Sequence, residues 1–226
     1  MSAYETPEYH PAFEEYTETI FELAEDDVDV IQARIAERLQ VSRPAVSEMI
    51  RRMEGAGLVT IDPRGKIGLT DDGHAVATAV VRRHRLAERF LTDILQLSWA
   101  EAHHEAGKWE HVISPVVEAA LVRHLGDPDT CPHGNPIPGS GYEQPKDAMA
   151  LSDVTGGAGF RVERIPEELE FQEGQLEYLE NAGLLPGREG QLLTAAPDGT
   201  VTVMVNDAPV GLSAFAAERI LVTATG

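Results

Sequence analysis

Residues 31–69 read IQARIAERLQVSRPAVSEMIRRMEGAGLVTIDPRGKIGL, and the spacing within this stretch decides the fold of the first part of the chain. Ile31, Ile35 and Leu39 recur every four residues, the polar turn Gln40-Val41-Ser42 follows, and Val46, Ile50 and Met53 resume the period. Apolar positions three and four apart share one helix face, so two short amphipathic helices joined by a tight turn are expected. Ser42 is a good N-cap, and Pro44 falls in the first turn, where its missing N–H costs nothing. Glu54-Gly55-Ala56-Gly57 stops the second helix. Leu58–Ile61, the turn Asp62-Pro63-Arg64-Gly65 and Lys66–Leu69 then read as strand, turn and strand. A further amphipathic helix precedes them over residues 11–25, with Phe13, Tyr16, Ile20 and Leu23 on its apolar face. Helix, helix, turn, helix, hairpin is the order of a winged helix-turn-helix.

That order makes residues 43–52 a recognition helix for a major groove of double-stranded DNA. The expected DNA-binding residues are Arg34, Ser42, Arg43, Pro44, Ser47, Glu48, Arg51 and Arg52. The formal net charge of -20 opposes this, because a field of that sign repels phosphate. Its distribution does not: residues 34–52 hold five arginines against two glutamates.

The 226 residues, 42% of them hydrophobic, suffice for two or three small domains. No run of eighteen apolar residues suggests a membrane span, and MSAYETPEYHPAFEEY lacks the basic and apolar regions of a leader. A cytoplasmic protein without membrane partners is expected. The single cysteine, Cys131, excludes a disulfide framework and cysteine-rich zinc modules. Metal chemistry is accordingly expected to use oxygen and nitrogen donors only.

From Asp71 a long helix is expected to about Leu95, with Ala77, Val80, His84, Ala87 and Leu91 as a stripe suited to packing on a second copy. The next helix, about 99–113, places His103, Gly107, Glu110 and His111 on one face. His84 and Glu88 form another pair four apart. Imidazole with carboxylate suits manganese, iron, cobalt, nickel or zinc.

The blocks RIAERL (34–39), VS.PAVS (41–47), ATAVVRRHRLAERFLTDI (77–94), WEHV (109–112) and GNPIPG (134–139) resemble the diphtheria toxin repressor family of iron- and manganese-dependent regulators. The resemblance is close over residues 11–140 and looser beyond. It implies a mainly α fold in three parts: a winged helix-turn-helix over 1–73, a helical metal-binding and dimerisation domain over 74–145, and a small SH3-like, FeoA-like β-barrel domain over 146–226. Short strands near Phe160–Ile165, Gln191–Ala195, Val201–Val205 and Arg219–Thr223, with a helix at Glu168–Asn181, fit the last part.

The resemblance also implies two metal sites. The ancillary one falls on His84, Glu88 and His103, with Glu173 and Gln175 offered by the C-terminal domain. The primary one falls on Glu110 and His111, while Glu15 stands where iron-responsive members have methionine and Gly107 where they have cysteine. Glu15 with Glu18 is similar to the carboxylate pair of the manganese-responsive branch. Loss of both sulfur ligands hardens the site and favours Mn2+ over softer ions on ligand type, with Fe2+ the family's other activator. Co2+, Ni2+ or Zn2+ could bind as tightly in vitro. The implied protein is a homodimeric, metal-activated repressor of metal uptake and homeostasis genes, bound to a palindromic operator.

An enzyme is not expected. His104-Glu105 is followed by Lys108, so the HExxH spacing of zinc hydrolases is not met, and no small organic substrate is implied. The alternative is a helix-turn-helix regulator that senses a non-metal effector or redox state, for which Cys131 lacks a resolving partner.

Overall fold

The computed structural model describes residues 11–225; residues 1–10, part of the stretch read as lacking a leader, lie outside the described residues. The chain divides into two units. One runs to Arg83 and includes Glu110–Val112; the other holds His84–Trp109 and the chain from Ile113.

The first unit contains α1 (Pro11–Glu25), α2 (Gln32–Arg38), α3 (Arg43–Gly55), the antiparallel pair β1 (Val59–Ile61) and β2 (Ile67–Leu69), and the start of α4 (Asp71–Asp93). Ser42 caps α3 as expected, accepting from Ala45 N at 3.4 Å. Tyr16, Ile20, Leu23, Ile35, Val46, Ile50, Met53, Leu58 and Ile67 share one core. Ile31 departs from the expected stripe: it is the extended residue before α2 and is exposed. Val30 is buried instead, where its carbonyl accepts from Ile67 N at 2.8 Å and ties α2 to the wing. At the wing turn, Asp62 Oδ1 accepts from the backbone N–H groups of Arg64 and Lys66, both at 2.8 Å.

The second unit carries the rest of α4, α5 (Trp99–Trp109), α6 (Pro115–Leu125), α7 (Glu167–Glu170), α8 (Gln175–Ala182) and α9 (Ala214–Ala217). Its strands are β3 (Met149–Ala150), β4 (Gly159–Arg164), β5 (Glu189–Ala195), β6 (Val201–Val205), β7 (Ala208–Leu212) and β8 (Leu221–Thr225). They form one antiparallel sheet in the order β3-β8-β4-β5-β6-β7. Leu86, Ala87, Leu91, Ala102, Ala106 and Ile137 make a helical core, and Phe160, Val162, Leu192, Val203 and Val222 make that of the sheet. Trp99 of α5 belongs to the sheet's core, so the C-terminal fold is docked on the helices of its own unit.

Three expectations are corrected. Helix α5 ends at Trp109 rather than near 113, because Pro115 disfavours helical backbone at Ser114 and Ser114 instead caps α6. Glu110 and His111 therefore sit in a turn, off the helix face that was to carry them beside Gly107. The single helix over 168–181 is split, since Gly174 adopts φ 73° between α7 and α8. The α4 stripe of Ala77, Val80, His84, Ala87 and Leu91 is buried within the chain, and Ile94 and Leu95 just beyond α4, with Val116 and Val117 of α6, are exposed instead.

Gly73 opens α4 against the strand side of the wing, where a Cβ would stand 1.9 Å from the Leu58 carbonyl oxygen. Backbone cannot yield there as a flexible side chain would. Gly73→Ala is therefore expected to cost about 1–3 kcal/mol of unfolding free energy, measured by urea denaturation of the full chain.

Candidate metal centres

Two clusters of carboxylates and imidazoles form, one in each unit. In the first unit, α1 buries Glu14 and Glu18, four residues apart on one face, and exposes Glu15. Glu14 Oε2 lies 2.7 Å from His111 Nδ1, and Glu14 Oε1 accepts from Arg83 Nη2 at 3.0 Å. His111 Nε2 is 3.3 Å from Glu110 Oε1, and carboxylate oxygens of Glu18 and Glu110 approach within 4.8 Å. The turn Glu110–Val112 thus groups with α1 and not with the helices on either side of it in sequence. Burial pushes the Glu14 carboxyl up, but the His111 hydrogen bond and the Arg83 charge outweigh it and hold its pKa below the ordinary value. The same hydrogen bond, with the charges of Glu110, Glu14 and Glu15, raises the pKa of His111 against its burial.

Against the sequence reading, Glu18, Glu110 and His111 come together, whereas Glu15 is exposed and Glu14 makes the contact assigned to it. Gly107 is exposed on α5, with open space around a would-be Cβ.

The second cluster is deeper. Glu88 of α4 is fully buried, and its Oε1 faces His103 Nδ1 at 3.0 Å, His84 Nε2 at 3.3 Å and His133 Nδ1 at 3.6 Å. Glu170 of α7 brings Oε2 to 3.1 Å from His103 Nδ1 and 2.9 Å from His133 Nδ1. Cys131 is buried close to Glu88 and His133, with ligand atoms of the three within 4.8 Å of one another. Glu167 is buried too, its Oε1 accepting from Arg85 Nη2 at 3.1 Å while Arg85 Nη1 donates to Pro136 O at 2.5 Å.

His84, Glu88 and His103 are thus brought together as expected from the sequence. Glu173 is exposed and Gln175 only half-buried at the start of α8; the carboxylates supplied by the C-terminal fold are Glu167 and Glu170. His133 and Cys131, which lie in this cluster beside Glu88, were not among the metal candidates read from the sequence. The one sequence signal was their place in CPHGNPIPG, directly before a block that marks the family.

The polar atoms of this cluster are a divalent cation's donors in kind. His133 Nε2 makes no hydrogen bond, nor do Oε2 of Glu88 and Glu167, although all are buried. Such groups cost free energy unless something charged meets them. Burial pushes Glu88 and Glu170 up, but the imidazoles facing them prevail, and Glu170 is held at about 2. Glu167 goes the other way, to about 7, raised by burial and by Glu170. Burial opposes protonation of His103, yet hydrogen bonds to Glu170 and Glu88 push it up to about 10.

Asn135 sets the orientation of Glu170. Its Nδ2 donates to Glu170 Oε1 at 2.7 Å and to Ile165 O at 3.1 Å, and its Oδ1 accepts from Arg164 Nε at 2.5 Å. Gly134, at φ 87°, packs so closely on Glu163 O that a Cβ would stand 2.3 Å away, which fixes the loop on β4.

The families described as "Iron dependent repressor, N-terminal DNA binding domain", "Iron dependent repressor, metal binding and dimerisation domain" and "FeoA domain" match residues 9–67, 70–139 and 149–224. The chain is 41% identical over 207 residues to the diphtheria toxin repressor of Corynebacterium efficiens, covering 88% of this chain and 89% of that protein. It is 40% identical over 202 residues to the iron-dependent repressor IdeR of Mycobacterium tuberculosis, covering 85% and 87%. Among solved structures, a manganese-dependent transcriptional repressor in complex with manganese aligns with a TM-score of 0.83 at 32% identity, over 94% of this chain and all of that one. The manganese regulator SloR aligns at 0.76 and 31% identity, over 96% and 100%.

Two outcomes follow from the second cluster. Partners that orient a ligand typically hold a factor of about 10–100 in metal affinity, so Asn135→Ala should weaken Mn2+ binding by that range in calorimetric titration. His103 keeps its proton up to about 10 in the folded, metal-free chain. Folding there binds a proton that the unfolded chain has lost, so the stability due to this group is present below the ordinary histidine pKa and disappears as pH rises toward 10. A cation must displace that proton, and titrations in buffers of different ionisation enthalpy should show proton release at neutral pH.

Proposed function

This chain belongs to the iron-dependent repressor family, and we propose that it is a homodimeric transcriptional repressor whose hold on promoter DNA depends on Mn2+ or Fe2+. The contact of Glu14 with His111 carries this reading, because it ties α1 of the DNA-binding unit to the turn that joins α5 to α6. We assign the activating site to Glu14, Glu18, Glu110 and His111, and a second site to His84, Glu88, His103, His133, Glu167 and Glu170. Glu15 supports the first site by its charge alone. A bound divalent cation would supply the positive charge that lets these carboxylates converge without protons.

The residues act in sequence. Arg83 and His111 hold Glu14 ionised and turned toward the α5–α6 turn. Glu18, one helical turn on, faces Glu110 from the same side of α1. Fixing α1 to that turn restricts how the recognition helix is carried on the dimerisation helices, so that two recognition helices can meet successive major grooves, roughly 34 Å apart. Ser42, Arg43, Pro44, Glu48, Arg51 and Arg52 are exposed on and before α3, with Ser47 half-buried. Arg34 is exposed on α2, paired with Glu37 at 3.0 Å. Arg38 is excluded from phosphate contact, since it pairs with Glu22 inside the unit at 3.4 Å.

The second copy is assigned to a groove of about 800 Å3 between the end of α4 and α6, lined by Phe90, Ile94, Val116, Val117, Ala120 and Leu121. Val116 is 79% exposed there. We divide the chain into a winged helix-turn-helix over 1–73, a dimerisation domain over 74–145 and a FeoA-like domain over 146–226. The protein is read as non-enzymatic and cytoplasmic; no described helix is long and apolar enough to cross a membrane. A sensor of a non-metal effector is not favoured, since the buried charged clusters are made of side chains able to ligate a metal.

Fluorescence anisotropy with DNA from upstream of the chain's own coding region should show tight binding with Mn2+ or anaerobic Fe2+ and loss of binding with EDTA. Indifference to EDTA would refute the metal dependence. Glu14→Ala and His111→Ala should each raise the Mn2+ concentration needed by about tenfold or more, with Glu15→Ala close to unchanged. Arg43→Ala should cost on the order of 1–3 kcal/mol of DNA binding at fixed salt, with metal affinity retained.

A further inference from the structure

In the second unit the candidate ligands fall into overlapping threes. His84, Glu88 and His103 form one set, Glu88, Cys131 and His133 another, and His103, Glu167 and Glu170 a third. Within each set all ligand atoms lie within 4.8 Å of one another. Metal–ligand bonds of roughly 2.0–2.3 Å place even opposite donors of one ion only about 4.0–4.6 Å apart, so the donors of a single ion would group together within that limit. The two sets that share Glu88, one with His84 and His103 and one with Cys131 and His133, instead surround two points on either side of it.

We infer that this cluster is a pair of adjoining cation sites bridged by the Glu88 carboxylate. One is the harder site on His84, Glu88 and His103; the other is a softer site in which Cys131 binds as a thiolate beside His133. The inference rests on the reading of the cluster as a metal centre and adds a second ion of different chemical class. Thiolate with imidazole selects zinc- or cobalt-like ions over manganese, whereas the harder pole does not.

The softer pole is built, and not merely a buried thiol. His133 is wholly buried: its Nδ1 faces Glu170 Oε2 at 2.9 Å, its Nε2 lacks a hydrogen bond, and Glu88 Oε2 lacks one as well. The loop that carries both residues is closed on itself: Cys131 N–H donates to Asn135 O at 2.9 Å and Gly134 N–H to Cys131 O at 3.0 Å. Trp99 stacks edge-on to His133 with ring centroids 4.6 Å apart, which holds the imidazole against Glu88 and Glu170. When the thiol binds, its S–H proton passes to solvent as the sulfur–metal bond forms, so the step needs no oxidant or reductant.

Cobalt(II), added anaerobically to the reduced full chain carrying Glu14→Ala and His111→Ala, reports on this cluster with the first unit's site removed. Mass spectrometric metal analysis after gel filtration should find two cobalt ions per chain, and the absorption spectrum should carry a near-ultraviolet thiolate-to-cobalt band. Cys131→Ser should bind one ion and lose the band. His84→Ala should also bind one ion but keep the band, which separates loss of a site from loss of the fold. A single ion without the band, unchanged by Cys131→Ser, would overturn the paired site while leaving a metal centre in place. No cobalt bound in any variant would overturn both the pair and the reading of this cluster as a metal centre.

Discussion

A carboxylate with no exposed surface is stable only if charge or hydrogen bonds meet it, and Glu88 is met by three imidazoles. That requirement organises the second unit. Helix α4 supplies Glu88 and His84, α5 supplies His103, the loop after α6 supplies His133, and α7 of the C-terminal fold supplies Glu170. Four separate stretches of chain are thereby pinned to one point. Without a cation, protons on His103 and His133 do the neutralising; a cation would displace them. The same exchange governs the smaller cluster, where His111 shares its proton with Glu14. At either cluster a divalent cation and a proton would compete for one set of donors.

The acidity of the chain takes on a different meaning in this light. Glu14, Glu18, Glu22, Glu88, Glu110, Glu167 and Glu170 are buried, and six of them line the two clusters. Part of the net charge of -20 is thus concentrated where a cation would offset it. A change of charge at these clusters also changes the field felt by DNA phosphates, in the direction that favours binding when cation is present.

Much of this was legible in the amino-acid sequence, and the failures have physical causes. The helix-turn-helix and wing were readable because a 3.6-residue period, an N-cap and a glycine stop all agree over residues 31–69. His84, Glu88, His103, Glu110 and His111 were readable from spacing and family blocks. Glu14 was not distinguished from Glu15, because position 15 stands three residues and position 14 four residues before Glu18, and both spacings place carboxylates side by side on a helix. Only burial decides between them. Glu170, the buried carboxylate, was passed over for the exposed Glu173 and the half-buried Gln175 because α7 is four residues long and too short to show a period. Cys131 and His133 lie in a loop, where no periodicity exists to reveal which way a side chain points. Strand β7 was missed for a related reason: Pro209 and Gly211 mark it as a weak former, and it survives as an edge strand.

The central claim is that these two donor clusters are where a cation makes the chain competent for DNA. The most direct measurement is anomalous diffraction from crystals of the Mn2+-loaded dimer on operator DNA, recorded on either side of the manganese absorption edge. The account predicts one difference peak among Glu14, Glu18, Glu110 and His111, and density for cation between Glu88, His103 and Glu170. Manganese bound elsewhere, with Glu14 still paired to His111 in the DNA complex, would contradict it.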